Sequence, residues 1–429
     1  MHIKTLTRIL EKIVLGIVVY SAFSSDGLKA QALRGRQTEI QPGDPLPGLS
    51  AEERARFVKG KMAFETVENV EDGIGPVFNE RSCVDCHNGP APGGGAEIFG
   101  VRFGRIRNGQ YDDMQAFGGP TLQNQGIGLF NGVNFVGETV PAEATVVARR
   151  RANPMFGYGL VDHVPDEFFY QLAQRQKRVS PETAGRVNVT INFRTGRPAV
   201  GKFGWKGDLA TLYDFAADAY KDELGVTTAG FTRNGNLSEV FEFARSRDGR
   251  SVSEENPPQG NTDLLKSNPA GSPNEPDDTT LLELEAFMTM LAPPPRGTVS
   301  RNTLQGQRVF QMIGCTNCHL PALRTGPSEI RALNRVQFQP YSDFLLHDMG
   351  ALGDGVGGSG ENGSPKGSEM RTAPLWGLRF QNVYLHDGRA KSLHQAILMH
   401  DGQGLKSQRA YSKLPNVARL NLMEFLNSL

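Results

Sequence analysis

Two short segments of the sequence carry cysteine and histidine at the same spacing. These Cys-x-x-Cys-His motifs consist of Cys83, Cys86 and His87, and of Cys315, Cys318 and His319. Two thiols one helical turn apart can form thioethers with the vinyl groups of haem, and the adjacent imidazole can bind its iron. The motifs therefore predict two covalently bound haem c groups, with His87 and His319 as iron ligands.

Other uses of paired cysteines fit the sequence less well. A zinc site needs a third and a fourth Cys or His near each pair, and a thioredoxin-like dithiol sits in a βαβ pattern that is absent here. All four cysteines of the chain lie in the two motifs. None remains for a structural disulfide.

Helical patterns precede both motifs and close both halves of the chain. The segment "LSAEERARFVKGKMAFETV" predicts a helix capped by Ser50, and "SRNTLQGQRVFQMIGC" places Leu304, Val309 and Met312 near helical spacing. The closing helices are predicted from apolar faces at Leu284, Phe287, Met288 and Leu291, and at Leu422, Phe425, Leu426 and Leu429. The repeated order indicates an internal duplication.

The duplication defines the predicted domains. We expect a signal peptide over residues 1–32, an N-terminal domain over 33–295 and a C-terminal domain over 296–429, divided at the proline run 293–295. The pattern "G..VF....C..CH" with a closing "L..FL..L" resembles a class I cytochrome c domain. The predicted fold is thus mainly α, with two fused class I cytochrome c-like domains, long irregular loops and a small β-hairpin insertion in "VNVTINFRTGRPAVGKFGWKG".

The first residues have the features of a secretory signal. Lys4, Arg8 and Lys12 precede the apolar run 13–23, and small residues follow at Ala30 and Ala32. The apolar run is too short to span a bilayer comfortably, so we expect the signal to be cleaved and the mature chain to have no membrane span. The protein would then be periplasmic or otherwise exported. An uncleaved N-terminal anchor is the alternative. The 46 basic and 46 acidic residues balance, and nothing indicates nucleic acid as a partner.

Two further stretches have loop composition. Residues 233–278 are rich in Asn, Ser, Pro and Gly and predict an irregular surface excursion. Residues 353–367, "GDGVGGSGENGSPKG", predict a flexible loop.

The segment "RTAPLWGLRFQNVYLHDGRAKSLHQAILMHDG" (371–402) resembles the bacterial dihaem cytochrome c peroxidase superfamily. The segments "FNERSCVDCH", "RANPMFGYGLVD", "GKFGWKGDLATLYDF" and "LLHDMG" are similar to its dihaem oxidoreductase branch of peroxidases and thiol oxidoreductases. The resemblance covers nearly all of the mature chain. It implies two haems at a domain interface and peroxide chemistry.

The resemblance also implies a sixth ligand for the second haem. His400 stands where the peroxidases usually have Met, so we expect this haem to be bound by His319 and His400, with Met399 and Met349 as alternatives. Imidazole in place of thioether lowers the reduction potential. This departs from the high-potential haem of the peroxidases.

The first haem lacks an obvious distal ligand, because no histidine follows His87 until His163. We therefore expect an open or water-bound iron and the reaction site there. The segment "RANPMFGYGLVDHVPDE" aligns loosely with the distal segment of the family, which makes Asp162, His163 and Glu167 the candidates for proton transfer. Each has an ordinary alternative as a helix cap or surface group.

Four more residues are candidates for roles beside the haems. Trp205 is predicted to lie between the haems as an electron relay, and Trp376 could serve equally well. His386 and Arg389 are predicted to organise the edge of the second haem, with Arg389 facing a propionate.

These features predict a dihaem oxidoreductase of the peroxidase type. A small exported cytochrome c or cupredoxin would supply electrons at the C-terminal haem, and hydrogen peroxide would be reduced at the N-terminal haem. The alternatives are an electron-transfer cytochrome without peroxidase activity and a dihaem enzyme that oxidises another substrate. Relatives also hold calcium between the domains, which is an expectation that spacing alone does not test.

Overall fold

The structure is a computed structural model that describes residues 40–130, 133–226, 278–358 and 364–429. The predicted signal peptide and nearly all of the predicted excursion 233–278 lie outside the described residues. The described helices are α1 (Ala51–Glu65), α2 (Cys83–Cys86), α3 (Tyr158–Asp162), α4 (Asp166–Val179), α5 (Leu212–Leu224), α6 (Thr279–Met290), α7 (Arg301–Met312), α8 (Leu393–Leu398), α9 (Leu405–Ser412) and α10 (Asn416–Leu426). In this part of the chain, no helix has the length and apolarity that a membrane crossing requires.

Short strands connect these helices. They are β1 (Val77–Phe78), β2 (Phe99–Arg107), β3 (Gln110–Asp112), β4 (Thr121–Leu122), β5 (Gln125–Gly126), β6 (Gly128–Phe130), β7 (Val133–Phe135), β8 (Val146–Arg151), β9 (Val189–Asn192), β10 (Arg197–Val200), β11 (Leu323–Arg324), β12 (Gln337–Phe338), β13 (Leu346–Asp348) and β14 (Glu369–Arg371). The hairpin β9–β10 confirms the predicted insertion.

The sequence did not predict the largest sheet. Strand β2 pairs with β3, β4 and β8, all antiparallel, so that the segment after the first motif is a β structure. The prediction of a mainly α chain therefore holds for the helix pairs α1–α6 and α7–α10 and is not confirmed for the chain as a whole.

Each motif is flanked by a pair of packed helices. Ser50 caps α1 through a capping box with Glu53, as predicted, and α1 packs against α6. In the second half, α7 packs against α10 in the same way. The apolar faces predicted for the closing helices are confirmed, because Leu284, Phe287 and Met288 are buried on α6 and their counterparts are buried on α10.

Glycine sets the close contact within both helix pairs. A Cβ atom at Gly60 would lie 2.1 Å from the carbonyl oxygen of Glu283, and one at Gly306 would lie 1.9 Å from that of Asn421. Both glycines are buried and stand four residues before a buried phenylalanine, Phe64 or Phe310. The buried face of α7 is therefore built on Gly306 and Phe310, whereas Leu304 and Met312 are exposed.

Part of the glycine-rich loop 353–367 is packed against the rest of the chain. The Asp354 side chain is 1% exposed and forms ion pairs with Arg150 and Lys206 at 2.8 Å each. Val356 is buried as well. Composition predicted a flexible segment because it does not reveal that the carboxylate of Asp354 meets two cations from the other half of the chain.

Candidate cofactor sites

A cavity of about 230 Å³ opens beside the second motif. Cys315, Cys318 and His319 line one part of its wall, and His400 lines another. The cysteines lie in a short turn that follows α7, and His400 lies just after α8. The helix pair and α8 thus bring the motif and the predicted sixth ligand to one space.

His319 and His400 face each other across this cavity. Their ring centroids are 6.5 Å apart. A metal ion midway between two imidazoles is separated from each ring centre by a metal–nitrogen bond of about 2.0–2.1 Å and by the roughly 1.2 Å from the nitrogen to the ring centre. The sum of these two lengths matches half of the observed separation. The Nδ1 atom of His319 is 2.9 Å from the carbonyl oxygen of Tyr341, and that of His400 is 2.8 Å from the carbonyl oxygen of Ala396. These contacts leave both Nε2 atoms for a metal.

Burial keeps both imidazoles neutral. It lowers the pKa of His319 to about 4, with a further contribution from His400, and it lowers the pKa of His400. Neutral imidazole is the form that binds a metal. Met349 also lines the cavity, but Met399 does not and is 38% exposed. The structure therefore brings His400, of the three predicted candidates, opposite His319.

A second cavity, of about 380 Å³, opens beside the first motif. Cys83, Cys86 and His87 line it, and the Nδ1 atom of His87 is 3.0 Å from the carbonyl oxygen of Gly94. Phe64 lies 6.2 Å from the His87 ring at 55°, and Phe310 lies 6.1 Å from the His319 ring at 54°. The two sites therefore share the same arrangement on the side of the motif histidine.

The remaining walls of the two cavities differ. Among the described residues that line the N-terminal cavity, His87 is the only histidine. Its charged lining residues are Glu80, Arg102, Asp113, Arg150, Arg151, Lys206, Asp208, Asp218, Asp222 and Glu223. Strands β2 and β8 and helix α5 supply most of them.

Asp218 is distinct within this charged wall. Asp222 accepts a hydrogen bond from Thr121 at 2.7 Å, and Glu223 accepts one from Asn79 at 2.7 Å. The Asp218 side chain makes no hydrogen bond or ion pair within the part of the chain that the structure describes. Burial, and then the charge of Asp222, raise the pKa of Asp218 well above its ordinary value. The carboxyl group beside the cavity thus keeps its proton to a higher pH than an ordinary aspartate does.

The cysteines do not have the environment of a redox dithiol. All four are free, and burial raises the pKa of Cys83, Cys86 and Cys315 to about 12 in each case. Reactive dithiols have lowered pKa values, because the thiolate is the nucleophile. Buried neutral thiols in a cavity wall instead suit attachment to an apolar ring.

Unpartnered donors test whether a haem fits, because its two propionates need positive or N–H partners. In the described structure, Arg151 Nε and Trp376 Nε1 are buried without a hydrogen-bond partner, and both residues line the C-terminal cavity. Arg150 Nη2 is a third such atom, and Arg150 lines the N-terminal cavity. Buried donors of this kind are costly unless paired. The residues present therefore fit a cofactor that carries carboxylates.

Trp205 lies on the walls of both cavities, whereas Trp376 lines only the C-terminal one. The indole N–H of Trp205 donates to the carbonyl oxygen of Arg151 at 3.0 Å, and its ring meets that of His386 edge to face at 6.1 Å. His386 is 3% exposed and lines the C-terminal cavity. The structure thus favours Trp205 over Trp376 as the residue between the sites.

Four predicted site residues lie elsewhere. Asp162, His163 and Glu167 line neither cavity. Burial raises the pKa of Asp162 to about 6. The Nδ1 atom of His163 contacts the carbonyl oxygen of Gly159, and Glu167 is exposed. Arg389 does not line the C-terminal cavity either, because it pairs with Asp387 at the surface. The loose alignment placed the distal group on α3 and α4, but α5 approaches the cavity instead.

The chain belongs to the family described as "di-haem oxidoreductase, putative peroxidase", whose sequence profile matches residues 136–429. It is therefore a dihaem oxidoreductase, and its family implies two haem cofactors. The match includes the second motif, His400 and Trp205. No curated protein sequence matches the chain significantly.

Several solved structures are similar to the chain at low identity. Hydrazine synthase of Kuenenia stuttgartiensis is 13% identical over 92% of this chain and 97% of that chain, with a TM-score of 0.38. The diheme peroxidase BthA of Burkholderia thailandensis is 12% identical over 73% and 94%, with a TM-score of 0.30. A MauG-like protein associated with microbial copper homeostasis is 14% identical over 70% and 94%, also with a TM-score of 0.30.

Proposed function

We propose that this chain is an exported c-type enzyme that reduces hydrogen peroxide at its N-terminal haem and receives electrons at its C-terminal haem. The observation that carries the proposal is the difference between the two cavities. His400 faces His319 in one, and no second histidine lines the other within the described residues. The first arrangement suits electron transfer, and the second leaves room for a substrate.

Each motif would hold one haem through two thioethers and one imidazole. Cys83, Cys86 and His87 would hold the N-terminal haem, and the corresponding residues 315, 318 and 319 would hold the other with His400. A haem with an open position supplies an iron that can bind a peroxide oxygen and pass electrons to it. The protein residues then position the peroxide and manage its protons.

Asp218 is the proposed proton donor. Reduction of hydrogen peroxide to two water molecules consumes two electrons and two protons, and the departing oxygen needs a proton as the O–O bond breaks. A carboxyl group whose pKa is raised by burial is suited to deliver one there. Arg102 lines the same cavity beside Glu223, at 3.4 Å, and adds positive charge to the wall.

Trp205 is the proposed path between the two sites. Its ring is part of both cavity walls, so an electron that crosses it passes through one aromatic side chain. The hydrogen bond to Arg151 fixes the orientation of the indole. This role was predicted by resemblance, and the position of the ring supports it.

Two exposed basic side chains belong to a segment that also lines the C-terminal cavity. Gly404, Ser407 and Gln408 line the cavity, whereas Lys406, which pairs with Glu182 at 3.3 Å, and Arg409 are exposed. Exposed basic groups on this segment favour a donor with an acidic surface, because charge complementarity speeds encounter. The proposed donor is a small exported cytochrome c or cupredoxin, which agrees with the signal peptide predicted from residues 1–32.

The test is the absorption and EPR spectrum of the half-reduced protein before and after one equivalent of hydrogen peroxide. We expect a high-spin signal from the N-terminal haem that peroxide removes. Asp218→Asn should slow this reaction by about a hundredfold or more, the usual contribution of a positioned acid. Asp112→Asn is the matched control, because Asp112 pairs with Arg105 and lines neither cavity. Two low-spin haems that ignore peroxide would indicate an electron carrier instead.

A further inference from the structure

A buried ion pair lies directly behind the second motif, and the proposed reaction does not use it. His347 is 2% exposed and Asp343 is fully buried. The Nε2 atom of His347 is 2.9 Å from a carboxylate oxygen of Asp343, and its Nδ1 atom is 3.4 Å from the sulfur of Cys318. The pair therefore reaches the position where the porphyrin edge would be attached.

Several contacts fix this arrangement. The Asp343 carboxylate also accepts hydrogen bonds from the side-chain amide of Gln176 at 2.8 Å and from the backbone N–H of Leu345 at 3.0 Å. The backbone N–H of Asp343 donates to the carbonyl oxygen of Cys318 at 2.9 Å. A Cβ atom at Gly185 would lie 2.6 Å from His347 Nε2, so the backbone closes over the imidazole. The pair thus has one orientation relative to the motif.

The two charged side chains of the pair lie at different distances from the C-terminal cavity. His347 lines the C-terminal cavity, whereas Asp343 lies behind it and does not line the cavity. Asp343 raises the pKa of His347 well above its ordinary value in spite of burial. A positive charge nearer the cofactor outweighs the negative charge behind it, since the Coulomb energy falls with distance.

We propose that the His347–Asp343 pair sets the reduction potential of the C-terminal haem, with the imidazolium raising the potential and the carboxylate holding that imidazolium in place. This inference rests on the proposed position of the haem at Cys315, Cys318, His319 and His400. Addition of an electron makes the haem more negative, so a nearby cation stabilises the reduced form. The pair would offset part of the lowering that a second histidine ligand causes.

The test is a potentiometric titration of the full-length holoprotein, followed through the low-spin absorption and EPR signals. His347→Gln leaves the Asp343 carboxylate without its cation and should shift the reduction equilibrium about tenfold toward the oxidised form, which is about 59 mV for one electron. The double variant His347→Gln/Asp343→Asn should recover part of that shift, because it also removes the negative charge. If the two residues contributed only to packing, the midpoint of the double variant would lie below that of His347→Gln and not above it.

The controls separate the possible failures. His394→Gln changes an exposed histidine of the same half whose Nδ1 contacts the Tyr411 hydroxyl, and it should leave the midpoint unchanged. If His347→Gln does not fold, Asp343→Asn alone should shift the reduction equilibrium toward the oxidised form by less than tenfold, that is by less than about 59 mV. An unchanged or raised midpoint in His347→Gln, or a double variant below the single one, overturns the proposal. A protein without a low-spin haem overturns the site assignment, and this proposal with it.

Discussion

The two halves of the chain build nearly the same support for a motif histidine and then diverge on the other walls of their cavities. Gly60 and Phe64 in the first half correspond to Gly306 and Phe310 in the second, and each phenylalanine lies about 6 Å from its histidine ring. Beyond this shared part, the second half adds His400 and the first adds an acidic helix. The two halves therefore combine the same support for a motif histidine with different cavity walls.

The difference originates in the segments on the C-terminal side of each motif. Downstream of the second motif, the chain returns through α8 and places His400 opposite His319. Downstream of the first motif, it enters the sheet of β2, β3, β4 and β8, which supplies Arg102 and Arg150. Helix α5 then completes the wall with Asp218. The difference between the two cavity walls thus comes from the elements that follow each motif and not from the motif itself.

Removal of one cysteine pair should have the largest effect. Cys83→Ala/Cys86→Ala and Cys315→Ala/Cys318→Ala should each leave one covalent haem, measured by mass after denaturation. Their spectra should differ, because the first variant loses the high-spin haem and the second loses the low-spin one. Two haems in either variant, or identical spectra, would refute the assignment of the two motifs.

Changing the facing histidine should remove the difference between the sites. His400→Gly takes away one of two imidazoles that lie 6.5 Å apart, so the C-terminal haem should become high-spin. The absorption and EPR spectra report this directly. Met399→Ala is the control, because Met399 does not line the cavity. A low-spin spectrum in His400→Gly would exclude His400 as a ligand.

The shared scaffold should respond alike in both halves. Gly60→Ala and Gly306→Ala each force a methyl group against a carbonyl oxygen of the partner helix, which should cost about 1–3 kcal/mol of unfolding free energy. Denaturant unfolding measures this cost. Leu304→Ala changes an exposed position of α7 and should stay within about 0.5 kcal/mol. Equal tolerance at the two glycines and at Leu304 would contradict the close helix contact.

The acidic wall should make stability depend on pH. Because the pKa of Asp218 is raised in the folded chain, the unfolded chain releases this proton more readily, and stability falls as pH rises from about 4 toward the raised pKa. Asp218→Asn removes this loss. The variant should unfold at a higher temperature than the parent at pH 7 and at a similar temperature at pH 3. A lower unfolding temperature at pH 7 would show that the Asp218 carboxyl group is not held buried and protonated.

The smallest effect is expected at Arg389, which the sequence placed at a propionate. The structure pairs it with Asp387 at the surface, so Arg389→Ala should change stability by no more than about 0.5 kcal/mol and leave haem content intact. Arg151→Ala should perturb the C-terminal site, because Arg151 has an unpartnered Nε and lines that cavity. Comparing the absorption spectra of both variants shows which of the two arginines lies beside a haem propionate.

The sequence predicted the parts of the fold that depend on local spacing. The two motifs, the Ser50 cap, the closing helices and the β9–β10 hairpin all follow from residues within one or two turns of each other. The position of His400 came from its place in a family segment rather than from chemistry. It was also the easiest ligand to find, because few histidines are available.

The missed features depend on contacts between distant segments. Asp218 and Asp222 stand four residues apart on a helix whose neighbours Ala216, Ala217 and Tyr220 are buried, which was the available signal for acids on an apolar face. Strand β2 has no clear alternation of buried and exposed residues, so its sequence does not indicate a strand. His347 lies in the quoted segment "LLHDMG", yet only the fold shows that it meets Asp343 and Cys318.

The ion pairs of Asp354 connect the two halves of the chain. Asp354 belongs to the second half, but its carboxylate neutralises Arg150 and Lys206 beside the cavity of the first. Asp354→Asn would leave both cations buried without this counterion, and the loss of one partner of a buried pair typically costs about 3–5 kcal/mol. The charge balance beside the first cavity thus depends on a residue of the second half.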